Sequence, residues 1–232
     1  MIDDPWLMVR DICERYRIVI EYNRRMVKTS PGRPVDLSKD RDILAAGRAL
    51  LFESGPQAVT MEAVARQAGV SKPTLYRRYA NRDELLAAVA MNESDSMAGR
   101  FRVTPGSIDD MRHALVDFGC RLTRFLLSSD HIRFIHALGA STGMPQATRE
   151  SIFRHGPLAT RDRLAEWLDK ANEAGLLRCN DPACSAEKFL GMLMGLDLVR
   201  TLYHVHPPRD VEALNAHVQG TVDDFLTLHR SD

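Results

Sequence analysis

An all-α fold is what the sequence predicts, and three observations predict it. Apolar residues recur at three- and four-residue intervals along most of the 232 residues, the period of a helix that buries one stripe. Ser, Thr or Asn stands ahead of several of these stripes, with Gly or Pro behind, where helices begin and end. No segment alternates apolar and polar residues as a half-buried strand does. With 44% hydrophobic and 27% charged residues, the chain has enough apolar surface for a packed core and is not disordered in bulk.

The elements are taken in chain order. Ile43, Leu44, Gly47, Leu50 and Leu51 form the stripe of a first helix that closes at Gly55. Thr60 offers its hydroxyl as the cap of a short second helix carrying Met61, Val64, Ala65 and Ala68, which Gly69 stops. Ser71 caps a third, with Pro73 near its start, where a missing N–H costs nothing. Asn81 caps a fourth; Glu84 three residues on completes a capping box, and Leu85, Leu86 and Val89 carry the stripe forward. Thr104, Pro105 and Gly106 break the pattern and mark the domain boundary, give or take the length of the fourth helix, which is able to bridge both halves.

Beyond the break, Ile108, Met111, Leu115, Phe118, Leu122, Phe125 and Leu126 keep helical spacing. Further helices are predicted over His131 to Ser141, Pro145 to Phe153 and Leu158 to Ala174, the last ended by Gly175. RCNDPACS, 178 to 185, reads as a loop with Ser185 as the cap of the next helix. From 189 to 203 one helix is expected, apolar on two faces: Phe189, Met192, Leu193, Leu196, Val199 and Tyr203 on one, Leu190, Met194, Leu198 and Leu202 on the other. After a break at His204 to Pro208, Val211, Leu214, Val218, Val222, Phe225 and Leu226 form a final amphipathic helix. This excess of apolar surface predicts a homodimer in which the last two helices of each copy meet as a four-helix bundle.

Composition narrows the function. Net charge is zero, yet residues 24 to 82 hold twelve Lys and Arg against five Asp and Glu, so one segment is suited to a polyanion. The start MIDDPWLMVRD is acidic, and LLAAVAM and LGMLMGLDLV fall short of the ~20 apolar residues that span a bilayer. A cytoplasmic protein with no membrane partner is expected. Cys13, Cys120, Cys179 and Cys184 form no CxxC pair and read as ordinary thiols. His204 with His206, or Cys179 with Cys184, gives two metal ligands and no third, so neither a metal nor another cofactor is expected. No nucleophile elbow, phosphate-binding glycine loop or Cys/His signature points to an enzyme.

Residues 61 to 79 carry the pattern of a helix-turn-helix: Ala65 where two helices approach, Gly69 at the turn, Leu75 returning to the core. With Val70 and Leu75 inward, Lys72, Thr74, Tyr76 and Arg77, with Arg78 at the edge of the set, project from the second helix. These are types that bond phosphate or read base edges in a major groove.

The run TMEAVARQAGVSKPTLYRRYANRDELL strongly resembles the DNA-binding domain of the TetR family of bacterial transcriptional regulators, over about 45 residues from Ile43 to Leu86. The resemblance implies that Thr60, Ser71, Lys72, Thr74, Tyr76, Arg77, Tyr79 and Arg82 lie at or near DNA, Tyr76 and Arg82 on phosphate. Pro56, Pro73, Tyr79 and Asn81-Arg82-Asp83 depart mildly from the family pattern and leave the target sequence open. KTSPGRP, 28 to 34, looks like the basic arm many members carry, with Arg33 within reach of the minor groove; it is equally a plain linker. In residues 1 to 25, Trp6, Val9, Cys13, Tyr16 and Ile20 share one helical face; either this is an additional helix or Met26 is the natural start.

The stretches FLLSSDHIRFIHAL and FRHGPLATRDRLAEWLDKANEAGLLRCNDPACSAEKFLGMLMG resemble the regulatory domain of AefR-like members. That implies a small-molecule cavity, with Phe118, Leu122, Phe125, Phe134, Leu138, Phe153, Trp167 and Met194 as candidate walls and His131 or His136 as polar handles. Each of these apolar positions also suits ordinary core packing. The expected organisation is an extension and arm over 1–34, a three-helix DNA-binding domain over 35–82 and a helical regulatory and dimerisation domain over 83–232. The expected function is a homodimeric repressor, released from a palindromic operator on double-stranded DNA by a small apolar or amphipathic ligand. The rivals are a constitutive or activating regulator without inducer, and an enzyme or carrier that uses the cavity.

Overall fold

The computed structural model describes residues 37–140, 144–203, 205 and 209–230; Arg33, the residue 1–25 segment, His204 and His206 lie outside them. Among the described residues there are eleven α-helices and no strand. The first four are α1 (Leu37–Ser54), α2 (Met61–Gln67), α3 (Lys72–Tyr76) and α4 (Arg82–Met97). The remainder are α5 (Ile108–Leu126), α6 (Ser129–Ala140), α7 (Gln146–Phe153), α8 (Ala159–Glu173), α9 (Pro182–Met194), α10 (Asp197–Leu202) and α11 (Val211–Leu228). The all-α class read from the sequence is the class observed.

The helix starts depend on side-chain oxygens that occupy otherwise unpaired N–H groups. Thr60 Oγ1 accepts from the Ala63 amide at 3.1 Å, Ser71 Oγ from Thr74 at 3.3 Å and Asn81 Oδ1 from Glu84 at 2.9 Å. Glu84 closes its box by accepting the Ala80 amide at 2.7 Å, one residue earlier than a standard box. Ser107 and Asp210 cap α5 and α11 in the same way. Ser185, expected as a cap, is instead buried inside α9. Asp181 starts that helix by accepting from the Cys184 amide at 2.9 Å, with Pro182 in the first turn. Ser185 Oγ bridges the Cys179 thiol, which donates at 3.1 Å, and His229 Nε2 at 3.0 Å, tying the loop before α9 to the end of α11.

Two helices differ from their expected course. The single helix expected over 189 to 203 is cut at Gly195, whose φ of +48° few other residues adopt. The break lets Asp197, 2% exposed, turn inward between Arg200 at 2.9 Å and Arg209 at 3.4 Å, and it leaves Leu196 and Val199 at the surface. Between α7 and α8 the chain stays helical where a break is expected, widening into a π-turn over Arg154–Leu158 that contains Pro157. Such one-turn widenings recur beside functional cavities.

Packing divides the buried side chains into two clusters within the compact unit of residues 38–232. Phe118, Trp167, Phe189 and Phe225 centre one, among α5, α8, α9 and α11. Ile43, Leu51, Phe52, Leu75, Leu85 and Leu86 centre the other, and Phe134, Met144 and Ile152 from beyond the chain's midpoint join it. The amino-terminal helices thus have no private core.

Candidate nucleic-acid interface and interior cavity

Two short helices, α2 and α3, need few residues to fix their geometry here. At Gly69, φ is +64°, and the turn it makes lets the Val70 amide bond the Ala65 carbonyl at 3.0 Å. Leu75, fully buried, anchors α3, and Val70 is half-buried. The opposite side of α3 leaves Lys72, Tyr76 and Arg77 exposed, Tyr76 at 48%. Thr74 is half-buried, its hydroxyl 2.8 Å from Ser71 Oγ, while Thr60 and Ser71 stand exposed at the two helix starts.

The cations do not all face outward. Lys72 Nζ reaches Glu62 on α2 at 2.7 Å, a fully exposed pair that holds the Glu62 carboxyl below its usual range and spans the two helices. Arg77 makes no side-chain ion pair or hydrogen bond among the described residues. Arg78, placed at the edge of the outward set by its sequence position, turns back: its Nε bonds Asp40 at 2.5 Å and its Nη1 the Thr74 carbonyl at 3.4 Å, with only 12% of the side chain exposed. Arg82 donates from Nε to the Val59 carbonyl at 2.7 Å and from Nη2 to the Pro56 carbonyl at 2.5 Å, stapling α4 to the Pro56–Ala58 turn. Its Nη1 lies 4.0 Å from Asp83. Tyr79 is half-buried, and burial, with Asp40 nearby, pushes its phenol pKa up. Lys72, Tyr76 and Arg77 are therefore the exposed set on α3, with Arg78 and Arg82 behind them as supports.

The second feature is an interior cavity of about 370 Å³, at the small end of the ~300–1,000 Å³ typical of small-molecule sites. Of the candidates named from the family resemblance, Leu122, Phe125, His131, Phe134, Leu138, Phe153 and Met194 line it. Phe118 and Trp167 do not. They pack with Phe101, ring centroids 4.8 and 4.9 Å away, and Trp167 Nε1 donates to the Val103 carbonyl at 2.8 Å. His136 is exposed on α6.

Sequence reasoning missed part of the wall. Leu51 and Phe52 enter it from α1, and Phe52 meets Phe125 edge-on at 5.5 Å and Phe134 at 5.2 Å. Their stripe is visible in the sequence; that it faces the later helices is not. Glu93, Ser94, Arg149 and Thr160 add polar groups. Most are engaged: Glu93 pairs with Arg48 at 2.9 Å, Ser94 and Thr160 share a 2.8 Å hydrogen bond, and Arg163 donates to Ser94 at 2.6 Å. His131 differs. It is 9% exposed, its Nδ1 has no hydrogen-bond partner, and burial lowers its pKa to about 4, so the imidazole is neutral.

Among the described residues no cluster of three or more His, Cys, Asp or Glu is placed to hold a metal, and no helix is long and apolar enough to cross a membrane.

Comparison with known proteins gives two family matches along the chain. Residues 43–89 match the pattern of bacterial regulatory proteins of the tetR family, and residues 113–230 that of the AefR-like transcriptional repressor carboxy-terminal domain. The HTH-type transcriptional regulator YdeS of Bacillus subtilis is 35% identical over 117 residues, 49% of this chain and 55% of YdeS, so the match spans little more than half of that relative. A TetR-family transcriptional regulator from Mesorhizobium loti superposes with a TM-score of 0.66 at 21% identity, over 85% of this chain and 100% of that one. The flavonoid-responsive regulator FrrA superposes with a TM-score of 0.59 at 25% identity, over 84% of this chain and 98% of that one. These families and neighbours are transcriptional regulators, not enzymes. With a helix-turn-helix at one end and the AefR-like pattern over half its length at the other, the chain belongs to the TetR family of bacterial transcriptional regulators.

Proposed function

We propose that this regulator is a homodimeric repressor that binds a palindromic operator through α3 and leaves it when a small apolar or amphipathic molecule fills the cavity. Residues 35–82 read DNA, and residues 83–232 sense and dimerise. The observation that carries the reading is α3 itself: Leu75 fixes it from beneath, while Tyr76 and Arg77 face outward, Arg77 with its guanidinium unspent. Arg77 suits bidentate contact with a guanine edge; Tyr76 and Lys72 suit phosphate. Thr60 and Ser71 add hydroxyls beside them, and Arg82 offers Nη1 from the foot of α4. Working on chromosomal DNA, the protein acts in the cytoplasm.

Repression is favoured by the AefR-like repressor pattern, and release by small molecules by the likeness to the flavonoid-responsive FrrA. Dimerisation through α9 and α11 is supported by their open, small-residue sides: a Cβ at Gly191 or Gly220 would meet nothing within 4 Å, and Leu196, Val199, Val211 and Leu228 are exposed nearby in sequence. Facing copies packed on those sides form the four-helix bundle. Selection of random duplex DNA by the purified protein tests the reading. The expected result is an enriched palindrome with half-sites about one helical turn, roughly 34 Å, apart. No enrichment from folded, dimeric, ligand-free protein refutes it.

A further inference from the structure

We propose that the molecule recognised in the cavity is an uncharged, planar aromatic compound bearing a hydroxyl, and that His131 is the residue that selects the hydroxyl. The inference deepens the ligand-release reading and rests on it.

The cavity is walled by Phe52, Phe125, Phe134 and Phe153, with aliphatic side chains forming most of the remainder and a few polar groups among them. Three of these rings surround His131, with centroids 6.2 Å away for Phe52, 4.6 Å for Phe125 and 6.0 Å for Phe134. Rings set edge-on and tilted to one another leave faces and edges for a further flat ring. The polar wall narrows the choice. Glu93 is neutralised by Arg48, and Ser94 and Thr160 bond one another, Thr160 also donating to the Gly156 carbonyl at 3.0 Å. His131 is nine-tenths buried, and its side chain has only ring contacts among the described residues. Nδ1 is sealed within the protein, so Nε2, which makes no hydrogen bond among the described residues, is the nitrogen a ligand in the cavity can pair.

Charge on the ligand is disfavoured from both sides. A cation finds Glu93 already paired and Arg149 in the same wall. An anion finds an imidazole that burial keeps uncharged, surroundings too apolar to solvate it, and in Arg149 a guanidinium already engaged with another group. Neutral imidazole offers one donor and one acceptor, and a hydroxyl is a single small group able to meet either.

The test is calorimetric titration of the full-length protein, wild type and His131→Phe, with β-naphthol, with β-methylnaphthalene of nearly the same shape, and with β-naphthoate. In the wild type β-naphthol binds more tightly than β-naphthoate. The ratio of naphthol to methylnaphthalene affinity falls about tenfold in H131F, the size of one hydrogen bond. His131→Gln, which keeps a donor and an acceptor, retains part of the ratio and guards against a general effect of repacking. A ratio unchanged in H131F, or tighter binding of the naphthoate, overturns the hydroxyl-selecting role while leaving the cavity as a ligand site. No binding of any of the three to the wild type overturns the cavity reading, and the inference with it.

Discussion

Acidification should cost the wild-type protein stability that an H131F variant keeps. In the folded protein His131 takes up a proton only near pH 4, because an imidazolium among Phe52, Phe125 and Phe134 is poorly solvated. In the unfolded chain the same group titrates near 6.5. Between these values the unfolded state holds more protons, so unfolding free energy rises with pH. The contribution is complete above about 6.5 and is lost as pH falls towards 4. At about 1.4 kcal/mol per pH unit, acidifying from about pH 7.5 to 4.5 removes roughly 2–3 kcal/mol. The charged groups lining the same cavity are Glu93, paired with Arg48, and Arg149; neither compensates an imidazolium. Other carboxylates also titrate at the acid end, so the quantity to measure is a difference. Urea unfolding of both proteins at several pH values across that interval gives it. The curves should converge or cross as pH falls, with H131F losing less by that amount; parallel loss would refute a neutral, buried His131.

Further substitutions separate contact from support. Arg77→Ala is expected to weaken operator binding by about 1–3 kcal/mol in a gel-shift titration and to relax specificity at one base pair, with unfolding unchanged. Arg78→Ala should instead lower unfolding free energy by about 1–2 kcal/mol, because it removes a guanidinium only 12% exposed and leaves Asp40 without its partner at 2.5 Å. Asn81→Ala removes the cap on α4 and should cost about 1 kcal/mol, read as a melting temperature lower by about 2–4 °C. Leu122→Trp fills the cavity from α5; operator binding should persist and its release by β-naphthol disappear in a competition assay.

The sequence conveyed what is local and left open what is tertiary. Thr60, Ser71 and Asn81 act as caps because capping needs only the next three residues, and Leu75 is buried because its stripe has one apolar face. Ser185 is not the cap of α9 because Asp181, followed by Pro182, makes an equally valid start one turn earlier. The break at Gly195 is masked by the apolar stripe that continues through Leu196 and Leu198. Phe118 and Phe125 lie seven residues apart on the same stripe of α5, yet Phe118 packs on Phe101 and Phe125 faces the cavity, which only the placement of α6 and α8 decides.

That same tertiary information bears on how ligand and DNA are coupled in the proposed mechanism. Near its start α1 presents Asp40 to Arg78, two residues past the end of α3; near its end it presents Phe52 to the cavity. Twelve residues of helix separate Asp40 from Phe52, about 18 Å at 1.5 Å per residue, and a helix packed along its length moves as a body rather than compressing. A ligand that displaces the Phe52 ring would, under that mechanism, tilt the element to which Arg78 is bonded. Coupling needs the ligand to favour one tilt over the other, and the effect is reciprocal: operator DNA must weaken ligand binding by the same factor by which ligand weakens DNA binding. Asp40→Asn loosens the far end of α1 without touching the cavity or Arg77. In the proposed mechanism it leaves ligand affinity intact in the absence of DNA and shrinks that factor, whereas a linkage carried wholly by other helices leaves the factor at its wild-type value.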